Sequence, residues 1–225
     1  MEQTAAGDNV NLRGEIVRKL IHLGSLSIPV VYYFIPRTLA LELIVPVTVA
    51  FVLVDLARYD VPFVSGLFYR FFGFMLRKHE VDGQRHALNG ASYLLISAVI
   101  CISIFPKLIM VGSFTVLILA DAASAVFGKR FGRHKIFPQR RLPKSYEGSL
   151  AFIIAGVLAV LLTPKVNYSL AEYVIGAASV GVASFAEVLS YGIVDDNLAI
   201  PISFGLANWA LYVIFLPHLN VFFLG

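Results

Sequence analysis

Residues 108–133 read LIMVGSFTVLILADAASAVFGKRFGR. The twenty residues Leu108–Phe127 carry a single charge, Asp121, and Lys129, Arg130 and Arg133 follow at once. A bilayer's hydrocarbon core is crossed by about 20 consecutive apolar residues in a helix. The run is long enough to span, and its basic exit suits a helix end meeting headgroups. The surface helix of a soluble protein would instead alternate an apolar stripe with a polar face.

The same pattern recurs on both sides of this stretch. Apolar runs lie near Ile16–Ile35, Leu39–Leu56, Ala87–Phe105, Leu108–Phe127, Glu147–Leu162, Ala171–Tyr191 and Leu198–Leu216. They predict seven transmembrane helices, the fifth of them short. Pro36, Pro106, Pro164 and Pro217 punctuate one set of ends. Residues 62–79, PFVSGLFYRFFGFMLRKH, are rich in Phe but carry Arg70, Arg77 and Lys78. That mixture predicts an amphipathic helix lying in the interface. The fold expected is an all-α polytopic membrane bundle, one integral-membrane catalytic domain over residues 1–225.

Composition agrees. Of 225 residues, 58% are hydrophobic and 14% charged, and the mean hydropathy is +0.80. Soluble domains carry about 25% charged residues. A disordered chain is excluded, and a separate soluble domain has no room. Met1–Gly14 is polar, and no short apolar segment with a small-residue cleavage site follows it, so the first apolar run is expected to be a retained helix. Cys101, the one cysteine, sits in an apolar run and reads as a buried, inert thiol.

Charge sets the expected orientation. With seven spans, the N-terminus and the loops 58–86, 129–144 and 192–197 share one side, and 15 of the 18 lysines and arginines fall there. Arg37, Lys107 and Lys165 are left for the other side. The positive-inside rule puts the N-terminus in the cytoplasm and the C-terminus outside, in the cell membrane if the source is prokaryotic.

Candidate chemistry gathers at the basic side. Asp121 lies about two turns before the end of its helix, and an intramembrane carboxylate is costly unless paired or metal-bound. Ala125, Gly128 and Gly132 follow at helical spacing, a small-residue stripe that admits a helix or a ligand. After the basic loop, Lys144-Ser145-Tyr146-Glu147-Gly148-Ser149 opens the next helix. Ser145 suits a cap, and free N–H groups at a helix start bind phosphate. Gly128, Lys129, Arg130, Gly132, Arg133, Lys144, Ser145, Gly148 and Ser149 therefore form a candidate triphosphate cradle without a Walker motif. A capped helix after a basic loop explains the same residues structurally.

Two further clusters share that level. Glu15, Arg18, Lys19 and His22 fall on one face of the first helix. Glu187, Tyr191 and Asp195 recur every four residues, followed by Asp196, Asn197 and Pro201. Adjacent carboxylates with an amide suit Mg²⁺, a hard cation that also takes phosphate oxygens. Asn89 and Ser92 open the third span. This shared depth favours an enzyme taking an anionic substrate from water and a lipid from the bilayer, because transporters place their sites nearer the midplane.

The series D-x-x-x-A-x-x-G-x-x-x-G (Asp121 to Gly132), K-S-x-E-G-S (Lys144 to Ser149) and D-D-N-x-x-x-P (Asp195 to Pro201) resembles the dolichol kinase/phytol kinase family, which includes the fungal CTP-dependent diacylglycerol kinase. Glu15-x-x-Arg18-Lys19-x-x-His22 and Asn89-Gly90-Ala91-Ser92-Tyr93 also look like that family. The resemblance implies transfer of the γ-phosphate of CTP or another nucleoside triphosphate to an isoprenoid alcohol (dolichol, polyprenol, phytol or geranylgeraniol) or to diacylglycerol. Phosphatidate cytidylyltransferases resemble the Asp121–Ser149 region too. They carry paired lysines before the Glu-Gly and a longer C-terminal signature, which makes them the second reading. A non-enzymatic lipid-binding or transport protein is the third.

Phosphoryl transfer depends on positioning and charge neutralisation. The expected roles are Mg²⁺ on carboxylates among Asp121, Glu147, Asp195 and Asp196 with Asn197 assisting, and triphosphate on Lys144 with Lys129, Arg130 or Arg133. The proton of the lipid hydroxyl goes to Asp121, Glu147 or His22. The expected partners are the nucleotide, the lipid alcohol and membrane lipids, with no nucleic acid.

Overall fold

The computed structural model describes residues 20–72, 88–137, 144–190 and 194–221. Eight helices are among them: α1 (Ser27–Phe34), α2 (Arg37–Asp60), α3 (Pro62–Phe72), α4 (Gly90–Ile104), α5 (Lys107–Phe131), α6 (Tyr146–Leu162), α7 (Leu170–Leu189) and α8 (Asp196–Phe215). A short helical stretch at 20–24 and a turn lead into α1. The described residues are all-α. Helices α2, α5, α7 and α8 are long and apolar enough to cross a membrane, and Leu20–Phe34, α4 and α6 are shorter apolar helices. Each of the seven apolar runs read from the sequence lands on one of these.

The caps explain the boundaries. Asn89 Oδ1 accepts hydrogen bonds from Ala91 N (2.8 Å) and Ser92 N (2.9 Å) and starts α4. The Ser145 hydroxyl accepts from Gly148 N at 3.2 Å and starts α6. Asp195 Oδ1 accepts from Asn197 N at 3.0 Å and starts α8. Such caps satisfy N–H groups that have no partner inside the helix. Pro36 and Pro106 precede α2 and α5, where a missing N–H costs nothing.

Successive apolar helices run in opposite directions. At one end, Arg37 donates to Phe105 O (2.7 Å) and Lys107 to Ile35 O (3.1 Å). At the other, Asn89 N donates to Asp55 (2.8 Å) and Lys144 meets Asp196 (3.1 Å). Helix α5 is the centre: Met110, Phe114, Val116, Leu117, Ile118 and Ala120 are fully buried. It packs on α1, α6 and α8. Cys101 is buried and free. Helix α2 is the most exposed of the four long helices. Apolar side chains such as Phe34, Leu53, Leu162 and Val213 face outward, as on a surface solvated by lipid tails.

Residues 62–72 of the segment read as an amphipathic helix at 62–79 form α3, with Phe63 and Leu67 exposed and Phe68 buried. Residues 73–79 of that segment, the loop cations Arg140 and Arg141, and Tyr191 lie outside the described residues, as do Glu15, Arg18 and Lys19.

Candidate functional site

Asp121, Ser124 and Gly128 recur at three- and four-residue spacing and share a face of α5. Gly148 of α6 and Glu187 of α7 meet that face. A Cβ on Gly148 would lie 3.2 Å from both Gly128 Cα and Ser124 O, and one on Gly132 would lie 2.1 Å from Gly128 O. Glycine at 128 and 148 lets the end of α5 and the start of α6 touch through their backbones, and Gly132 leaves room for Gly128 O and the Ser145 hydroxyl. Gly128, Gly132, Gly148 and Ser145 are therefore packing and capping residues in the fold, and Ser149 is half-buried beside them.

That contact delivers Lys144. Ile136 N donates to Lys144 O (3.2 Å) and Tyr146 N to His134 O (3.0 Å), so the loop closes as a two-stranded clasp with a Lys135–Ser145 bridge. The Lys144 ammonium contacts Glu187 and lies 3.1 Å from Asp196 Oδ2. Burial opposes its charge, but the Asp196 and Glu187 carboxylates outweigh that and hold its pKa above the usual lysine value.

Three acids converge here. One carboxylate oxygen each from Asp121, Glu187 and Asp196 lies within 4.8 Å of the others. Ser124 Oγ donates to Glu187 Oε1 at 3.3 Å, and the Ser190 hydroxyl donates to Asp196 Oδ1. Glu187 is 2% exposed, and its Oε2 is buried without a hydrogen-bond partner among the described residues. His22 Nε2 stands 3.6 Å from Asp121 Oδ2. Three carboxylates thus face one ammonium. A buried charge needs a counter-charge, and clustered carboxylate oxygens fit a hard divalent cation. Asp121, Glu187 and Asp196 have the donor set to hold Mg²⁺.

The other acids read from the sequence are elsewhere. Glu147 pairs with the exposed His134, Nδ1 to Oε1 2.7 Å. Asp195 turns back on its own helix, taking bonds from Asn197 N and Asn197 Nδ2 (2.8 Å). Asn197 Nδ2 also donates to Gly90 O at 3.2 Å. Asn89 and Ser92 face Asp55 instead of the cluster. Lys129, Arg130 and Arg133 are exposed at the α5 exit. Ser124, Ser190 and Asp55 were not singled out in the sequence. Ser124 lies one turn after Asp121, and Asp55 stands in an apolar run three residues before Arg58, so both left a signal. Ser190 left none.

Comparison with known proteins adds a relationship. The chain is 26% identical over 192 residues to an uncharacterized protein of Rickettsia prowazekii, covering 85% of this chain and 91% of that one. It is 28% identical over 147 residues to CTP-dependent diacylglycerol kinase 1 of Saccharomyces cerevisiae, covering 64% of this chain and 48% of the kinase. It is 25% identical over 158 residues to CTP-dependent diacylglycerol kinase 1 of Schizosaccharomyces pombe, covering 66% and 70%. The chain thus spans about half the length of the Saccharomyces kinase. No family model and no solved structure matches it. The chain is a distant homologue of CTP-dependent diacylglycerol kinases.

Proposed function

We propose that this protein is a multi-pass membrane lipid kinase that transfers the γ-phosphate of CTP to the hydroxyl of a lipid alcohol. The observation that carries the reading is the meeting of Asp121, Glu187 and Asp196 with Lys144 at one end of an apolar bundle. The distant kinase relatives and the motif resemblance agree with it. Diacylglycerol is the acceptor named for the relatives, and an isoprenoid alcohol is the one the motifs allow.

In this reading all seven apolar helices span, residues 1–225 form one catalytic domain, and the clustered end faces the cytoplasm by the distribution of cations. Mg²⁺ held by Asp121, Glu187 and Asp196 would supply charge neutralisation to the nucleotide phosphates. Lys144, held against Glu187 and Asp196, would take a phosphate oxygen, and Lys129, Arg130 and Arg133 would draw the triphosphate to the α5 exit. Asp121 is the most exposed of the three acids and has His22 at its side, which suits it to receive the hydroxyl proton of the lipid. The lipid oxygen bonds to the γ-phosphorus as the bond to the β-phosphate oxygen breaks, leaving CDP.

The test uses purified protein in detergent with Mg²⁺, γ-labelled CTP or ATP, and a panel of diacylglycerol, polyprenol, phytol and geranylgeraniol. Label entering the organic phase with one acceptor supports the kinase. Label entering only from α-labelled CTP with phosphatidate would replace the reading by cytidylyl transfer, and no transfer at all by a non-enzymatic one.

A further inference from the structure

A second polar cluster lies between the carboxylate site and helix α3. Asp55 is fully buried and Arg58 is 2% exposed, both near the end of α2. Arg58 Nε lies 3.1 Å from Asp55 Oδ1. The other oxygen, Asp55 Oδ2, accepts from Asn89 N at 2.8 Å and from Ser92 Oγ at 2.6 Å, gripping the first turn of α4. The Arg58 guanidinium stacks 4.7 Å from the Phe68 ring of α3 and donates to Tyr59 OH at 2.8 Å.

The path continues to the acids. Gly90, next to Asn89, accepts from Asn197 Nδ2 through its carbonyl at 3.2 Å. The contact is tight, because a Cβ on Gly90 would come within 3.3 Å of that same nitrogen. Asn197 is held to Asp195, the cap of α8, and lies next to Asp196. An unbroken line of contacts therefore runs from Phe68 through Arg58, Asp55, Asn89–Gly90 and Asn197 to Asp196. Burying a carboxylate and a guanidinium among apolar helices is expensive. Starting α4 does not require them, because the Asn89 side chain already caps that helix.

We infer that Asp55 is a positioning residue that fixes Asp196 within the carboxylate cluster, with Arg58 linking it to the interfacial helix α3. It touches neither cation nor substrate. It sets where the start of α4, and through Asn197 the start of α8, stands relative to Asp121 and Glu187. The effect on turnover rests on the kinase reading; the effect on cation affinity does not.

The test is a Mn²⁺ titration of the purified full chain, followed by electron paramagnetic resonance of the free ion, beside the labelled-CTP assay. Asp55→Ala is expected to raise the Mn²⁺ Kd about tenfold and to lower kcat about tenfold, the low end for lost support of metal ligands, because Asp55 reaches Asp196 only through Asn89–Gly90 and Asn197. The lipid KM should stay within about twofold, because Asp55 touches no substrate. Asp55→Asn keeps an acceptor for Asn89 N and Ser92 Oγ and should recover to within about threefold of wild type. If Asp55→Ala does not fold, Ser92→Ala carries the same test with a rise of about threefold, the loss of one hydrogen bond. An unchanged Mn²⁺ Kd in these variants, with only a lower Tm, overturns the inference and leaves the kinase reading standing. No Mn²⁺ binding by the wild type also overturns it. A wild type that binds Mn²⁺ with the expected Asp55 dependence but phosphorylates no lipid supports the inference and removes the kinase reading.

Discussion

Lys144→Met tests the cluster most directly. The Lys144 and Glu187 side chains are 13% and 2% exposed, and Asp196 is 18% exposed. At about 3 Å and an effective dielectric near 20, one such pair attracts by about 5 kcal/mol. Desolvation cancels part of this, and removing one partner of a buried pair typically costs about 3–5 kcal/mol. For a chain of this size each kcal/mol moves Tm by about 2–4 °C, so a loss of about 10 °C is expected in EDTA. A divalent cation should replace the missing ammonium. At 100 times its Kd a bound ion returns about 2.7 kcal/mol, which recovers much of the loss. The wild type keeps Lys144 on the same carboxylates, so its Tm should rise less with Mg²⁺. The assay is thermal unfolding in detergent followed by Trp209, the single tryptophan, which packs edge-on against Phe105 away from the site. A Lys144→Met protein melting within about 2 °C of wild type in EDTA would refute the reasoning, as would equal Mg²⁺ shifts in both proteins.

Three other outcomes follow from the same geometry. Glu187→Gln should weaken Mn²⁺ binding by about tenfold or more, since ligand charge sets the affinity, while Glu147→Gln, whose partner is His134, should leave it unchanged; the reverse order would move the metal site. Gly148→Ala places a Cβ 3.2 Å from two backbone atoms of α5 and should cost about 1–3 kcal/mol by overpacking, read as a lower Tm. Lys165, in the loop after α6, has its pKa lowered to about 8, burial outweighing the help of Glu172. A lysine lowered in the fold carries its full penalty below pH 8, and the penalty is relieved as pH rises toward about 10.4, the unfolded value. The Tm of wild type relative to Lys165→Met should therefore rise between pH 8 and 10 and be level below 8; a level difference throughout would contradict the assignment.

How much of this was legible depends on whether the partner is local. Helix α5 was expected to end at Phe127 and runs to Phe131, because Lys129 and Arg130 occupy its last turn, where cations favour the helix dipole. The caps Asn89, Ser145 and Asp195 were readable because a cap bonds two or three residues ahead. Asp195 and Asp196 were read together and the fold separates them. A cap side chain folds back on its own N–H groups, whereas the first helical residue projects sideways, here to Lys144. Glu187 appeared only as a member of a four-residue spacing, and its central place depends on Lys144, 43 residues away. Asp55 was not singled out, because the partner that gives it meaning is Ser92, 37 residues on.

What the sequence did carry was the end of each helix at which polarity sits. His22 lies in the first turn of the Leu20–Phe34 helix, Asp55 lies near the end of α2, and Asn89 precedes α4. Asp121 lies in the second half of α5, Lys144 precedes α6, Glu187 lies in the last turn of α7, and Asp196 begins α8. The polar residues thus alternate between the starts and the ends of successive helices. Helices that alternate in direction turn that alternation into a single layer, so the shared depth of these groups follows from connectivity before any contact is formed. Partner choice within the layer follows from packing: the Gly128–Gly148 contact sets where Lys144 arrives, and Asn197 against Gly90 sets where Asp196 stands. Substitutions at those contacts should therefore alter cation affinity without removing a single carboxylate, a result that composition and depth alone would not produce.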